Sequence, residues 1–142
     1  MPKVFTSETQ KTGEIGENIA VKFLMKQGFE VIERNYTKKW GEIDIIALKD
    51  LPAQTGNKIH FIEVKSVSDK NGNLKREMIG DNYRAEDNMH PWKLKRLSRT
   101  IQTYLLAHRE YEEKDWQVDL IVVYLDLENK KARVKLESDI IL

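Results

Sequence analysis

The sequence predicts an α/β domain in which one mixed β-sheet is flanked by helices, and three observations predict it. Two stretches repeat their apolar residues at helical spacing, near the start of the chain and around residue 100. Between and after them lie short runs rich in β-branched residues, the pattern of strands buried in a sheet. The length of 142 residues, 40% of them hydrophobic, suffices to bury about 70% of the unfolded chain's surface in one core, and does not suffice for two ordinary domains.

In chain order, Gly13 to Gln27 carries Ile15, Ile19, Ala20, Phe23 and Leu24 on one helical stripe, and Gly28 supplies the stop. Phe29 to Arg34 reads as a short strand with Phe29, Val31 and Glu33 on one parity. Asn35 to Gly41 reads as a polar connection, and Glu42 to Leu48 as a strand whose apolar run after Asp44 implies burial on both faces. Pro52, Gly56 and Asn57 mark a turn or loop, so the next strand, Ile59 to Lys65, is most simply the second arm of an antiparallel hairpin.

Ser66 to Pro91 has little periodicity and contains Gly72, Gly80 and Pro91. It holds either a short strand or turn around Leu74 to Ile79 or a mobile flap over the site. From Trp92 to His108, Leu94, Leu97, Ile101, Tyr104 and Leu105 form a second helical stripe, with Lys93, Lys95, Arg96 and Arg99 crowding its first half. Trp116 to Leu125 is a buried strand, with Trp116 the tryptophan expected in the core, and Lys130 to Leu136 is an edge strand. A flexible segment at 1–11 and a single domain over 12–142, with a mobile loop at 66–91, are the expected organisation.

Composition excludes several chemistries. There is no cysteine, which removes disulfides, thiolate zinc sites and cysteine nucleophiles and suits the cytoplasm. No segment reaches the roughly 20 apolar residues of a membrane span, and the N-terminus lacks a secretory apolar run. The net charge of +1 argues nothing by itself, but residues 75–109 carry net +4 and residues 110–142 net −4. The middle of the chain is therefore the place for a surface that faces a polyanion, or it is an ordinary solvated surface.

Asp44 and Glu63 interrupt apolar strands, and Lys65 follows Glu63 at the strand period, on the same face. Pairing the two strands brings two carboxylates and an ammonium together. A carboxylate inside an apolar sheet needs a partner or a metal, and magnesium or manganese (Mg2+ or Mn2+) suits hard oxygen donors. The competing explanation is a structural Asp–Lys or Glu–Lys pair at a sheet edge. His60, His90 and His108 lack metal-ligand spacing; His60 is read as a packing or surface residue. Trp40, Trp92 and Trp116 could stack on bases, and Tyr83 is a further candidate in the long loop.

The segments TGEIGENIAVKFLMKQGFEVIERNY, WGEIDIIAL and IHFIEVKSVS, followed by WKLKRLSRTIQTYL and WQVDLIVV, resemble the YraN-like UPF0102 family over most of residues 12–125. That family is regarded as similar to PD-(D/E)XK nucleases and archaeal Holliday-junction resolvases. The resemblance implies a restriction-endonuclease-like core and a metal-dependent endonuclease acting on nucleic acid, DNA rather than RNA, with branched DNA as one substrate. It implies Glu17, Asp44, Glu63 and Lys65 as catalytic residues. Asp44, Glu63 and Glu17 would bind metal, with the Val64 carbonyl as a further ligand. On the residues alone Glu17 is a solvated helix glutamate at the margin of the buried stripe; the resemblance reverses that preference.

Lys38, Lys39, Lys93, Arg96 and Arg99 are the expected nucleic-acid contacts. Here the chain departs from the family, which places arginines where NYTKKWGEID has Lys38 and Lys39, so bidentate phosphate contacts are lost at that point. Asp119 belongs to the resemblance without an assigned role. A symmetric homodimer would suit a two-strand substrate, and no membrane partner is expected. The alternatives are a noncatalytic nucleic-acid-binding protein that keeps the fold, and a structural interaction module built on a fixed ionic network.

Overall fold

The computed structural model describes residues 8–50, 57–68 and 91–140. In order these form α1 (Glu8–Lys26), β1 (Phe29–Lys38), β2 (Gly41–Asp50), β3 (Asn57–Ser68), α2 (Pro91–Ala107), a 3-10 turn at Arg109–Tyr111, β4 (Trp116–Asp126) and β5 (Lys131–Glu137). The five strands make one sheet in the order β1-β2-β3-β4-β5. Neighbours are antiparallel except β3 and β4, which run parallel with α2 between them in the chain. This is the mixed sheet with flanking helices expected of a restriction-endonuclease-like core.

The helices cover opposite faces. Ala20 and Leu24 of α1 pack with Ile45, Ala47, Ile62, Ile121 and Val123, whereas Leu97, Ile101 and Tyr104 of α2 pack with Ile46, Leu48, Ile59 and Phe61. Ile62 and Phe61 are adjacent in β3, so the strand period sends them to the two faces. Trp116 is half-buried and stacks edge-on against Phe61 at 5.7 Å, so it does join the core.

Several boundaries differ from the sequence reading. α1 begins at Glu8, before Gly13, so residues 8–11 are helical; Thr12 is buried and Ile15, placed on the apolar stripe, is 39% exposed. The supposed polar connection after Arg34 is strand: β1 runs to Lys38 and turns into β2 through Lys39 and Trp40 alone. Pairing to β2 satisfies the backbone of these polar residues, which side-chain hydropathy does not report. Ser66 to Ser68 likewise continue β3, paired to Val123–Leu125 of β4. The rest of the expected loop, residues 69–90 with Tyr83 and Leu74 to Ile79, lies outside the described residues, as do residues 1–7 and 51–56.

Two glycines set how closely the helices approach. A Cβ on Gly16 would overlap the Ser66 side chain, so α1 lies directly on β3 next to Lys65. A Cβ on Gly41 would overlap the Thr100 hydroxyl and come within 3.0 Å of the Arg96 carbonyl, so the start of β2 is pressed against α2. Gly28 takes φ 91 to end α1, as its place after Gln27 predicts. Among the described residues no helix is long and apolar enough to cross a membrane.

Candidate functional site

The paired register of β2 and β3 ends at Ile45↔Ile62. Alternation in β2 also slips there, because Ile43 packs on the α2 face and Ile45 on the α1 face. Asp44 occupies the slip. Its Oδ2 accepts the Val64 N–H at 2.8 Å, a hydrogen bond that replaces a rung of the ladder. Glu63, next to Val64 and on the parity of Ile59 and Phe61, points to the α2 side and is only 6% exposed.

These residues line an open pocket of about 520 Å³ together with Thr37, Lys38, Lys39, Trp40, Gly41, Glu42, Lys93, Arg96 and Leu97. Three elements build it: the β1–β2 turn, the parted ends of β2 and β3, and the first two turns of α2. That first turn of α2 carries no acid, so its backbone N–H groups and its lysine and arginine side chains give one positive wall.

The floor is negative and under-compensated. Burial, then the Glu42 and Glu17 charges, lifts the Asp44 carboxyl to about 6, against the Val64 N–H and Lys93, which lower it. Glu63 stands well above the ordinary glutamate range, first through burial and then through the neighbouring Asp44 carboxyl. Lys93 Nζ reaches Glu63 Oε2 at 3.8 Å, a long contact from a half-exposed ammonium. Glu63 Oε1 is buried with no hydrogen-bond partner among the described residues. Unmet acceptors of this kind cost about 1–3 kcal/mol each, and more when charged. A hard divalent cation is the group such an oxygen pair fits.

Of the expected site residues, Asp44, Glu63, Val64, Lys38, Lys39, Lys93 and Arg96 come together around this pocket. Three are not part of its lining. Lys65 keeps the parity of Glu63 but lies one step further along β3, opposite Val122 of β4. Arg99 instead stacks over the Trp40 ring at 4.5 Å. Glu17 is close enough for its charge to act on Asp44, yet its Oε1 accepts from Arg34 Nε at 3.1 Å and Asn35 Nδ2 at 3.0 Å. Among the described residues no three acidic or histidine side chains converge as a metal-ligand set, so Glu17 does not complete a triad with Asp44 and Glu63.

Sequence reasoning passed over Arg34, Asn35 and Glu42. Glu42 shares the parity of Asp44 in the motif and could have been found by the same period-two argument. Arg34 and Asn35 act across the sheet–helix gap, and nothing local marks them. Asn35 takes φ 55, a left-handed conformation that asparagine tolerates, and this turns its amide onto Glu17.

A second acidic cluster lies on the other face of the sheet. His60 Nδ1 donates to Asp119 Oδ2 at 2.6 Å, while Asp119 Oδ1 accepts Gln117 Nε2 at 2.7 Å and the Asp139 N–H at 2.9 Å. Burial pushes the Asp119 carboxyl up, but these three hydrogen bonds outweigh it and hold the group below its ordinary value. His60 is the packing residue the sequence suggested, edge-on to Phe29 at 4.9 Å. Asp119, which had no role, anchors the chain after β5 to β4, assisted by the Ile140 N–H on the Val118 carbonyl at 2.7 Å.

The model of the uncharacterised protein family UPF0102 matches residues 16–123. Among similar proteins, a UPF0102 protein of Campylobacter jejuni subsp. doylei is 37% identical over 115 residues, covering 81% of this chain and 85% of its own. One from Campylobacter hominis is 39% identical over 111 residues, covering 78% and 81%. One from Helicobacter hepaticus is 40% identical over 97 residues, covering 68% and 71%.

Proposed function

The chain belongs to the uncharacterised protein family UPF0102, and from that premise and its carboxylate pocket we propose that it is a divalent-metal-dependent nuclease. It hydrolyses phosphodiester bonds of nucleic acid, DNA before RNA, with branched or distorted DNA the first geometry to test. The observation that carries this is the buried, unpartnered Glu63 Oε1 beside the Asp44 carboxyl, under a wall of Lys38, Lys39, Lys93 and Arg96.

Asp44 and Glu63 would hold Mg2+ or Mn2+, with the Val64 carbonyl as a further ligand. When bound, such an ion lowers the pKa of water and offsets charge on phosphoryl oxygens. The protein's own part is positional. Lys93 and Arg96 neutralise the incoming phosphate from the α2 side, and Lys38 and Lys39 do so from the turn. Val64 N–H fixes the rotamer of Asp44, and Arg34 with Asn35 fixes Glu17 behind it. Lys65 would stabilise charge developing on the phosphate as water adds and the P–O bond to the leaving oxygen breaks. The products are a phosphomonoester and a hydroxyl.

A noncatalytic nucleic-acid-binding protein is the second reading, favoured by the absence, among the described residues, of a three-acid metal-ligand set and by Lys65 standing outside the pocket lining. A fixed ionic network explains the site least, since it would not strand a buried carboxylate oxygen. The test is cleavage of labelled linear, nicked, flapped and four-way-junction DNA with Mg2+ or Mn2+, an EDTA control, and folded Asp44→Ala and Lys65→Ala proteins. Metal-dependent cleavage by the native protein, lost in both variants, is the expected result. Intact substrates at every protein concentration, with the protein folded and metal bound, would remove the nuclease reading and leave the binder.

A further inference from the structure

We propose that Trp92 is a base-stacking platform, and that the pocket therefore takes a DNA strand with unpaired nucleotides beside the phosphate it binds. This rests on the reading of the pocket as a phosphodiester site and adds the substrate class.

Trp92 is the second residue of α2 and stays 55% exposed, a large apolar surface to leave in water. Its neighbour Lys93 lines the pocket and reaches toward Glu63, while the indole itself lies outside the lining. One turn on, Arg96, also a lining residue, places its guanidinium over the Trp92 ring, 4.2 Å from the ring centre. Ring and cation are thereby held as one unit at the rim.

Two other lining residues also belong to cation–ring pairs: Lys38 lies over Tyr36 at 5.1 Å, and Arg99, itself outside the lining, over Trp40 at 4.5 Å. A lining cation held over an exposed ring matches a strand that presents a phosphate and a base side by side. Base–aromatic stacking of this kind tolerates any sequence. It requires an unstacked base, however. Inside a duplex every base face is already covered by its neighbours, so a phosphate of intact duplex seated in the pocket would offer Trp92 nothing. A single strand, a flap or the unpaired centre of a junction offers a free face. Phosphate charge explains Lys38, Lys93 and Arg96 for any nucleic acid; an unstacked base is what the exposed indole adds.

The test is binding of full-length protein to a fluorescent single-stranded DNA, a flapped DNA and a blunt duplex of matched length, by anisotropy in EDTA at fixed salt. Trp92→Ala, Trp92→Phe and Lys93→Ala are compared, each with its urea midpoint measured. The native protein is expected to prefer single-stranded and flapped DNA to duplex by about tenfold. Trp92→Ala should weaken those two by about 5- to 30-fold, as loss of one stacked base does, and the duplex by under twofold. Trp92→Phe should recover most of the loss, and Lys93→Ala should weaken all three alike. Single-stranded RNA binding as well as DNA, with the same Trp92 dependence, would support the platform and widen the substrate class.

Equal affinity of the native protein for duplex and single strand would overturn the proposal. So would a Trp92→Ala protein, unfolding at the native midpoint, that loses both equally or neither. Because no hydrolysis occurs in EDTA, a failed nuclease assay leaves this result standing. Conversely, metal-dependent cleavage with no Trp92 effect would reject the platform and keep the nuclease.

Discussion

Two faces of one sheet treat a buried acid in opposite ways. On the α1 face Asp119 receives three hydrogen bonds, from His60, Gln117 and the Asp139 backbone, and its carboxyl is held below the ordinary range. On the α2 face Asp44 and Glu63 crowd each other with one backbone N–H and one distant lysine for relief, and both carboxyls are pushed up. The sequence shows the same thing in each place, an acid inside an apolar strand. What separates them is supply of donors: the first cluster is complete and works as structure, while the second has only a 3.8 Å lysine contact and one backbone N–H and is chemically poised.

The contrast can be broken most forcefully at Asp119. Asp119→Ala should destabilise the fold by about 2–4 kcal/mol, because it strands the buried His60 donor and takes the acceptor from two part-buried donors. Urea denaturation measures this, and a loss below about 1 kcal/mol would mean the cluster is not structural. Asp44→Asn should act in the reverse direction. At pH 7 in EDTA it removes a desolvated charge and should stabilise by about 1–3 kcal/mol. A variant less stable than the native protein would show that the crowding is already compensated.

The pH dependence sharpens the same point. The folded Asp44 value of about 6 lies above its unfolded value of 3.8, so the folded state holds more protons between them. Metal-free protein should therefore lose stability as pH rises from about 4 to 6, and Asp44→Asn should flatten that slope. Asp119 has the opposite sign. Its folded value is lowered, so its contribution is present above the unfolded value and disappears as pH falls through the lower folded one. Thermal melts across pH 2–7 on the native protein and the two variants separate the contributions. A smaller effect is expected at the helix that carries Glu17. Gly16→Ala meets Ser66, costs about 1–2 kcal/mol and should be restored in the Gly16→Ala, Ser66→Gly double variant.

Much of this was legible in the chain. The helical stripes ending at Gly28 and starting near Trp92 give both helices, and the runs around Asp44 and Glu63 give the antiparallel pair at the floor of the pocket. The site's two acids follow from the cost of burying a charge in an apolar run. Polar Asn35 to Lys38 hid a strand, because edge pairing is a backbone matter and their hydropathy is that of a loop. The α1 start was late because Glu8 to Lys11 are polar, and helix continues there without an apolar stripe. Long-range partners were beyond reach: Arg34 and Asn35 on Glu17, and Lys93 on Glu63, depend on where helices dock, which Gly16 and Gly41 decide.

The most direct measurement is calorimetric titration of Mn2+ into metal-free native protein, Asp44→Asn, Glu63→Gln and Asp119→Asn at pH 7. If the buried oxygens of Asp44 and Glu63 are held for a divalent cation, the native protein binds it and both pocket variants lose at least tenfold in affinity. Folded Asp119→Asn then binds as the native protein does. No binding by the native protein, or undiminished binding when Asp44 and Glu63 are neutralised, would contradict the account.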